Sequence, residues 1–383
     1  MSPASMAAIP HPDPLPLPGP AWLFWALLML TFVLHLLAMN VMLGGTIIGA
    51  FARWRSRDVR HLHLRTLSAG LSEALPVAVA TAVTLGVAPL LLVQVLFGRL
   101  FFTASILMAW FWLLVIPVLI VAYSSAYALS LNSSLPRSAG LALSGLVTLL
   151  LLLVAFVYVN NMSLLWRPDR YAAMYQASAR GLHLNVVDAT FVPRFLHMLL
   201  GAVAVAGMVI AVVGAARRHR DSEFGRWAVR HGAAWFSGAT SVNLLAGVWW
   251  LVALPRGTLL AFMKQDLLAP LVLAIGVILA LGLLAMMVVA IQMPNPCAIV
   301  RGSAWTLLFT VTFMAVTRDE LRRAAITSAG FRPTTWMAPQ WGPILIFAVL
   351  LAAATGVIGW MVWALARPQA TGFRHLWNRR GIR

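Results

Sequence analysis

The sequence predicts an all-α integral membrane protein with nine transmembrane helices, its amino terminus outside and its carboxyl terminus in the cytoplasm. Three observations carry this. Of 383 residues, 61% are hydrophobic and only 10% charged, far outside the balance of a soluble domain. Nine apolar runs are each long enough to cross about 30 Å of hydrocarbon, which takes roughly 20 helical residues. The arginines gather in alternate links between those runs, as the positive-inside rule requires of a cytoplasmic face.

The chain opens with "MSPASMAAIPHPDPLPLPGP", a proline-rich outer segment over residues 1–20. It has no basic start followed by a short apolar run and a small-residue cleavage site, so it does not read as a signal peptide. The nine runs fall near 21–51, 73–97, 100–130, 138–160, 190–215, 231–254, 267–291, 299–317 and 341–366, and residues 21–366 are expected to form one transmembrane domain. Link 52–72 carries five arginines, link 216–230 five more, and the basic tail 367–383 another five. With nine spans all three lie on one side, the cytoplasm. Link 318–340 is the dissent, an outer link with four arginines partly balanced by Asp319 and Glu320. The outer link 161–189 mixes Trp, Tyr and Met with arginine and reads as an interfacial amphipathic segment.

A net charge of +18 raises the question of nucleic acid, but the arginines sit mostly between apolar runs rather than in an aromatic-interleaved patch, and membrane topology accounts for them better. Cys297 is the only cysteine, which excludes a disulfide framework, a thiolate metal site and covalent c-type haem attachment. No Walker loop, nucleophile elbow or zinc signature is present. Any cofactor is therefore held noncovalently, with histidine the natural ligand.

Two of the nine histidines, His35 and His197, lie inside spans. The others fall in links, at helix ends or in the tail, where a solvated ring is the ordinary reading; His183 is of interest because it shares the outer side with His197. An imidazole in hydrocarbon must be paired, coordinated or packed against a neighbouring helix. His197 sits in "FVPRFLHMLLGAVAVAG", with Gly201 at i+4 and Ala204 at i+7 leaving a strip of little bulk against which a flat macrocycle can lie. Arg194, at i−3, is one turn nearer the outer surface, where haem propionates want a cation. Pro193 is tolerable in a first turn, and Thr190 is the expected N-cap. The alternative is that Gly201, Ala204 and Gly207 only pack helices and His197 only bonds a carbonyl. His35 shares its face with Met39 and Met42, but Met39 is on the same helix and cannot stand trans to His35 across a porphyrin. The spans hold almost no carboxylates, which argues against an ion-coupled carrier.

Nine spans, an outward amino terminus, a histidine in the first span and another at the start of the fifth resemble subunit I of the cytochrome bd quinol oxidases. "FLHMLLGAVAVAG" is similar to that family's fifth helix and "LGVAPLLLVQVLFGRLFFTASILMAW" to its second-to-third helix passage. The resemblance implies a bacterial inner-membrane subunit of a respiratory chain that binds haem b, with His197 as ligand of the low-spin haem and His35 as ligand of a high-spin one. It also implies further membrane subunits. The departures are specific: the family's glutamates would fall at Leu107, Val115 and Thr310, and the long quinol loop after the sixth helix is reduced to "PRGTLLAFMKQDL". What remains is a divergent haem b electron-transfer subunit, with an outer-face partner such as a c-type cytochrome. A quinol-dependent oxidoreductase using quinone without the long loop, and a haem-free scaffold or transporter subunit, are the two other classes.

Overall fold

In the computed structural model, residues 15–56, 61–132, 135–218, 221–264, 267–331 and 336–366 are described. The first fourteen residues, the basic tail and parts of the arginine-rich links lie outside them. The long elements are helices, as hydrocarbon demands of a chain whose every backbone donor and acceptor must be satisfied internally. In order they are α1 (Ala21–Arg55), α2 (Leu62–Leu107), α3 (Ala109–Leu131), α4 (Arg137–Leu165), the short α5 (Tyr171–Ala177), α6 (Phe191–Arg217), α7 (Ser222–Val252), the short α8 (Arg256–Lys264), α9 (Leu268–Gln292), α10 (Cys297–Ser328) and α11 (Trp341–Ala366).

Among the described residues, seven helices are long and apolar enough to cross a membrane, and α7 with α8, bent by 105° at their junction, makes an eighth if the pair counts as one span. The chain is thus a multi-pass membrane protein. α11 contributes a shorter apolar stretch, Trp341–Val357. The break expected between the second and third runs near residues 97–100 is instead a kink inside α2, where Phe97 has φ −131° and ψ 30°. The helix then continues to Leu107 before α3 begins at Ala109. Pro76 and Pro89 lie within the same helix.

The chain forms two compact units, one running from Trp22 to Pro333 and the other holding residues 15–21 and the segment from Thr334 onward. In the smaller unit Leu17 donates its N–H to Trp336 O and accepts from Ala338 N, leading into α11. In the larger unit, a seam of small residues brings backbones together. A Cβ on Gly207 would lie 2.7 Å from Phe236 N, and one on Gly232 would strike the Gly207 carbonyl, so α6 and α7 touch main chain to main chain. A Cβ on Gly44 would likewise strike the Ala202 carbonyl, bringing α1 equally close to α6.

The 161–189 link is drawn onto the bundle rather than spread over a leaflet. Trp166, Tyr171 and Asn185 are buried, the Tyr171 hydroxyl donates to Leu100 O (3.1 Å), and Asn185 N donates to Asn160 Oδ1 (2.7 Å). Burial pushes the Tyr171 phenol well above its ordinary pKa, so it stays a neutral donor.

Candidate functional site

α6 starts from a turn built on Asp188, whose Oδ1 accepts from the Thr190 N–H (2.9 Å) and hydroxyl (2.6 Å). Thr190, the expected N-cap, therefore makes no cap bond: its hydroxyl is turned to a carboxylate, a stronger acceptor than it would itself be for an N–H. Burial alone would raise the Asp188 carboxyl. The Thr190 hydroxyl and N–H, with Arg167 and Arg194, outweigh it and hold the group below the usual carboxylate range.

From this turn α6 carries Arg194 and then His197. The His197 Nδ1 lies 3.2 Å from the backbone carbonyl of Asn243 on α7. A carbonyl only accepts, so Nδ1 carries the proton and the neutral ring keeps its lone pair on Nε2. Gly247, four residues beyond Asn243, makes room for the ring: a Cβ there would be 3.2 Å from His197 Cε1. In a helix the carbonyl of a residue is crossed by the side chain four positions on, so glycine at that place opens the carbonyl to an outside donor.

The same device recurs at His35. Its Nδ1 is 3.0 Å from the carbonyl of Ala82 on α2, and Gly86 stands four residues beyond, where a Cβ would be 2.9 Å from His35 Cε1. Each ring thus donates through Nδ1 to a neighbouring helix. Among the described residues neither Nε2 has a hydrogen-bond partner. Holding Nδ1–H against a carbonyl fixes the tautomer in which Nε2 can bind a metal.

Around His197 several polar groups are buried without partners among the described residues: Nε and Nη1 of Arg194, Oδ1 of Asn243 and Nε1 of Trp250. The Trp250 ring lies 5.9 Å from the His197 ring. The Arg194 guanidinium is covered by Trp166, 3.9 Å from its ring centroid, and by Trp250 at 5.1 Å, and its one hydrogen bond among the described residues is a long 3.5 Å contact to Thr190. Gly201 has the Asn243 amide as its nearest neighbour, 3.7 Å from where a Cβ would be. It is therefore not one of the tight packing glycines, whereas Gly207 is.

His183 is engaged within its own loop, its Nε2–H donating to Ser178 O at 2.7 Å. Met39 packs against the apolar cluster shared by α1, α2, α3, α4 and α6. Among the described residues no three His, Cys, Asp or Glu side chains gather as a metal cluster.

These features define a multi-pass helical membrane protein with two intramembrane histidines presented as single, isolated donors. No family model and no curated protein matches the chain. Among solved structures it is similar to a chain of the bd oxidase from Geobacillus thermodenitrificans, with a TM-score of 0.65 and 13% identity, over 92% of this chain and 99% of that one. The chain has a bd-oxidase-like fold. The residues present fit an iron porphyrin in their chemistry: one imidazole per site, a glycine-opened cradle behind each ring, and a buried arginine with N–H groups left over for a carboxylate.

The sequence singles out His35, His197, Arg194 and Gly201 as candidates but not the residues that support them. Asn243 with Gly247, and Ala82 with Gly86, lie on other helices, and the only trace they leave is a glycine four residues after the accepting position.

Proposed function

We propose that this chain is a haem b-binding membrane subunit of a respiratory electron-transfer complex, a divergent relative of cytochrome bd subunit I. The observation that carries the reading is the repeated presentation of an intramembrane histidine: Nδ1–H anchored on a carbonyl opened by glycine, Nε2 without a partner, at both His35 and His197. His197 would hold one haem, with Gly201 flanking it and Arg194 holding its carboxylates; His35 would hold another. Bound there, a b haem supplies reversible one-electron exchange.

The chain's own part is to fix each ring, exclude bulk from one side of it and place a guanidinium one turn away. In this reading residues 21–366 form nine spans in a bacterial inner membrane, amino terminus outside. Electrons would pass to another membrane subunit or to an outer-face partner such as a c-type cytochrome, and quinone is the other candidate donor.

The test is a reduced-minus-oxidised optical spectrum with a pyridine haemochrome assay on the detergent-purified protein and on His197→Ala. A b-type signal diminished by the substitution supports the reading. A folded protein, produced with haem available, that carries none overturns it.

A further inference from the structure

Away from both intramembrane histidines, a second group of imidazoles surrounds a space. His61, His63 and Leu64 at the start of α2, with Trp227 and His231 one turn apart on α7, line a cavity of about 170 Å³. A single water needs only about 10–15 Å³ of such space, so the cavity admits a group of several atoms. His231 is twelve residues before Asn243 on α7, ~18 Å along the helix, so the cavity is separate from the His197 site and stands whatever that histidine binds.

Ring stacking fixes the walls. The His231 ring lies on Trp227 at 4.5 Å with 14° between the planes, and the His63 ring is 5.3 Å from the same indole. Their partners then decide where the protons are. Trp235 Nε1 can only donate and meets His231 Nε2 at 3.1 Å, so the lone pair of that ring is taken and its proton sits on Nδ1. The Glu223 carboxylate can only accept and lies 3.2 Å from His63 Nε2, so that nitrogen carries a proton. Among the described residues the His231 Nδ1–H, the His63 Nδ1 and the whole His61 side chain have no hydrogen-bond partner.

A metal ion needs a lone pair, and an oxyanion needs an N–H; His231 offers only the N–H. No Asp or Glu lines the cavity, and the Glu223 side chain is 81% exposed. Both wall elements begin within the arginine-rich links 52–72 and 216–230, whose summed field draws anions. The depth of the cavity is marked by aromatics. Phe51 and Trp54 are exposed at the end of α1, Phe51 meets Trp235 edge-on at 5.3 Å, and His231 stands where the apolar run of α7 begins. Such a band lies at the headgroup layer of a membrane, where phosphate is the abundant oxyanion.

We propose that this cavity is a phosphate-binding site, with the His231 Nδ1–H donating to a phosphate oxygen and His61 and His63 as the other ring contacts. A phospholipid headgroup and soluble phosphate are the two sources of that chemistry.

The experiment is thermal unfolding of the full-length protein in a neutral detergent at constant ionic strength. It is titrated in turn with inorganic phosphate, with phosphatidic acid, which carries an open phosphate monoester, and with phosphatidylcholine, whose phosphate is covered by a quaternary ammonium. Stabilisation by phosphatidic acid at concentrations where inorganic phosphate does nothing supports the site and assigns it to a lipid headgroup. Stabilisation by both at similar concentrations supports it and assigns it to soluble phosphate. Equal stabilisation by phosphatidylcholine and phosphatidic acid, or none by any phosphate, overturns the proposal. His61→Gln with His63→Gln is expected to raise the half-maximal concentration about tenfold, the loss of a hydrogen bond to a charged group. Arg226→Gln, exposed on α7 and outside the cavity, is expected to raise it by no more than about twofold, as a screened surface charge does. Equal shifts in the histidine and arginine variants overturn the site in favour of a general attraction to the basic face. If the double variant does not fold, His61→Gln decides, because that side chain holds no other described residue: a severalfold shift supports the site, and an unchanged titration overturns it.

Discussion

A histidine in an apolar span has few ways to be stable, and His35 and His197 use the same one. Each binds a carbonyl on another helix at a point where glycine removes the obstructing side chain. The cradle leaves no slack for a methyl at Gly86, and at Gly247 a methyl fits only if the His197 ring gives way by a few tenths of an ångström. Gly86→Ala puts a Cβ 2.9 Å from His35 Cε1 and Gly247→Ala one 3.2 Å from His197 Cε1. Each is expected to destabilise by ~1–3 kcal/mol through overpacking and to lower haem retention at its own site, read by thermal unfolding and haemochrome assay. Gly70→Ala is the control, with nothing within 4 Å of the new methyl; helix propensity predicts a neutral or slightly stabilising change there, up to ~1 kcal/mol. Asp188 gives a pH prediction at the same scale. Its folded-state pKa is depressed, so its contribution is complete above the unfolded value of about 4 and is lost as pH falls through the lower folded value. Asp188→Asn is expected to cost ~1–3 kcal/mol at neutral pH and to flatten the stability profile on the acid side of pH 4, followed by unfolding at successive pH values.

At the scale of elements, the α6–α7 pair is what holds the His197 site in register. The seam Gly207–Gly232 lies three turns further along α6 than the ring, and helix contact there fixes which α7 carbonyl the ring meets. Gly207→Leu is expected to push the helices apart, cost ~1–3 kcal/mol and weaken the Asn243 contact without touching His197 directly. A lowered haem content with His197 intact, compared with a Gly238→Ala control that has open space at its Cβ, is the readout. The small-residue stripe after His197 was legible in the sequence, but its division of labour was not. Gly207 packs helix on helix, while Gly201 faces only the Asn243 amide, and the same letters in the same stripe serve differently because α7 meets Gly207 with its main chain and Gly201 only with a side chain.

At the scale of the molecule, the arginine distribution predicts the orientation. In a Cys297→Ser background, a cysteine at Ala179, exposed on the link before α6, is expected to react with a membrane-impermeant maleimide in intact cells. One at Ser222, exposed at the start of α7, is expected to react only after lysis. The reverse pattern would invert the topology and place Arg194 and Arg318 on the cytoplasmic half.

The sequence by itself determined that this is a helical membrane protein with scarce intramembrane charge, two histidines in hydrocarbon and a cation one turn from His197, because hydropathy and helical spacing are local and each residue reports its own setting. Only the tertiary structure decided what those residues meet. The carbonyls of Ala82 and Asn243, the tryptophan faces on Arg194 and the place of Arg318 beside Phe32 all depend on contacts between helices far apart in the chain. Such contacts are set by packing register, to which a main-chain acceptor contributes no residue type of its own, so that the glycine four residues beyond each acceptor is all they leave in the sequence to read.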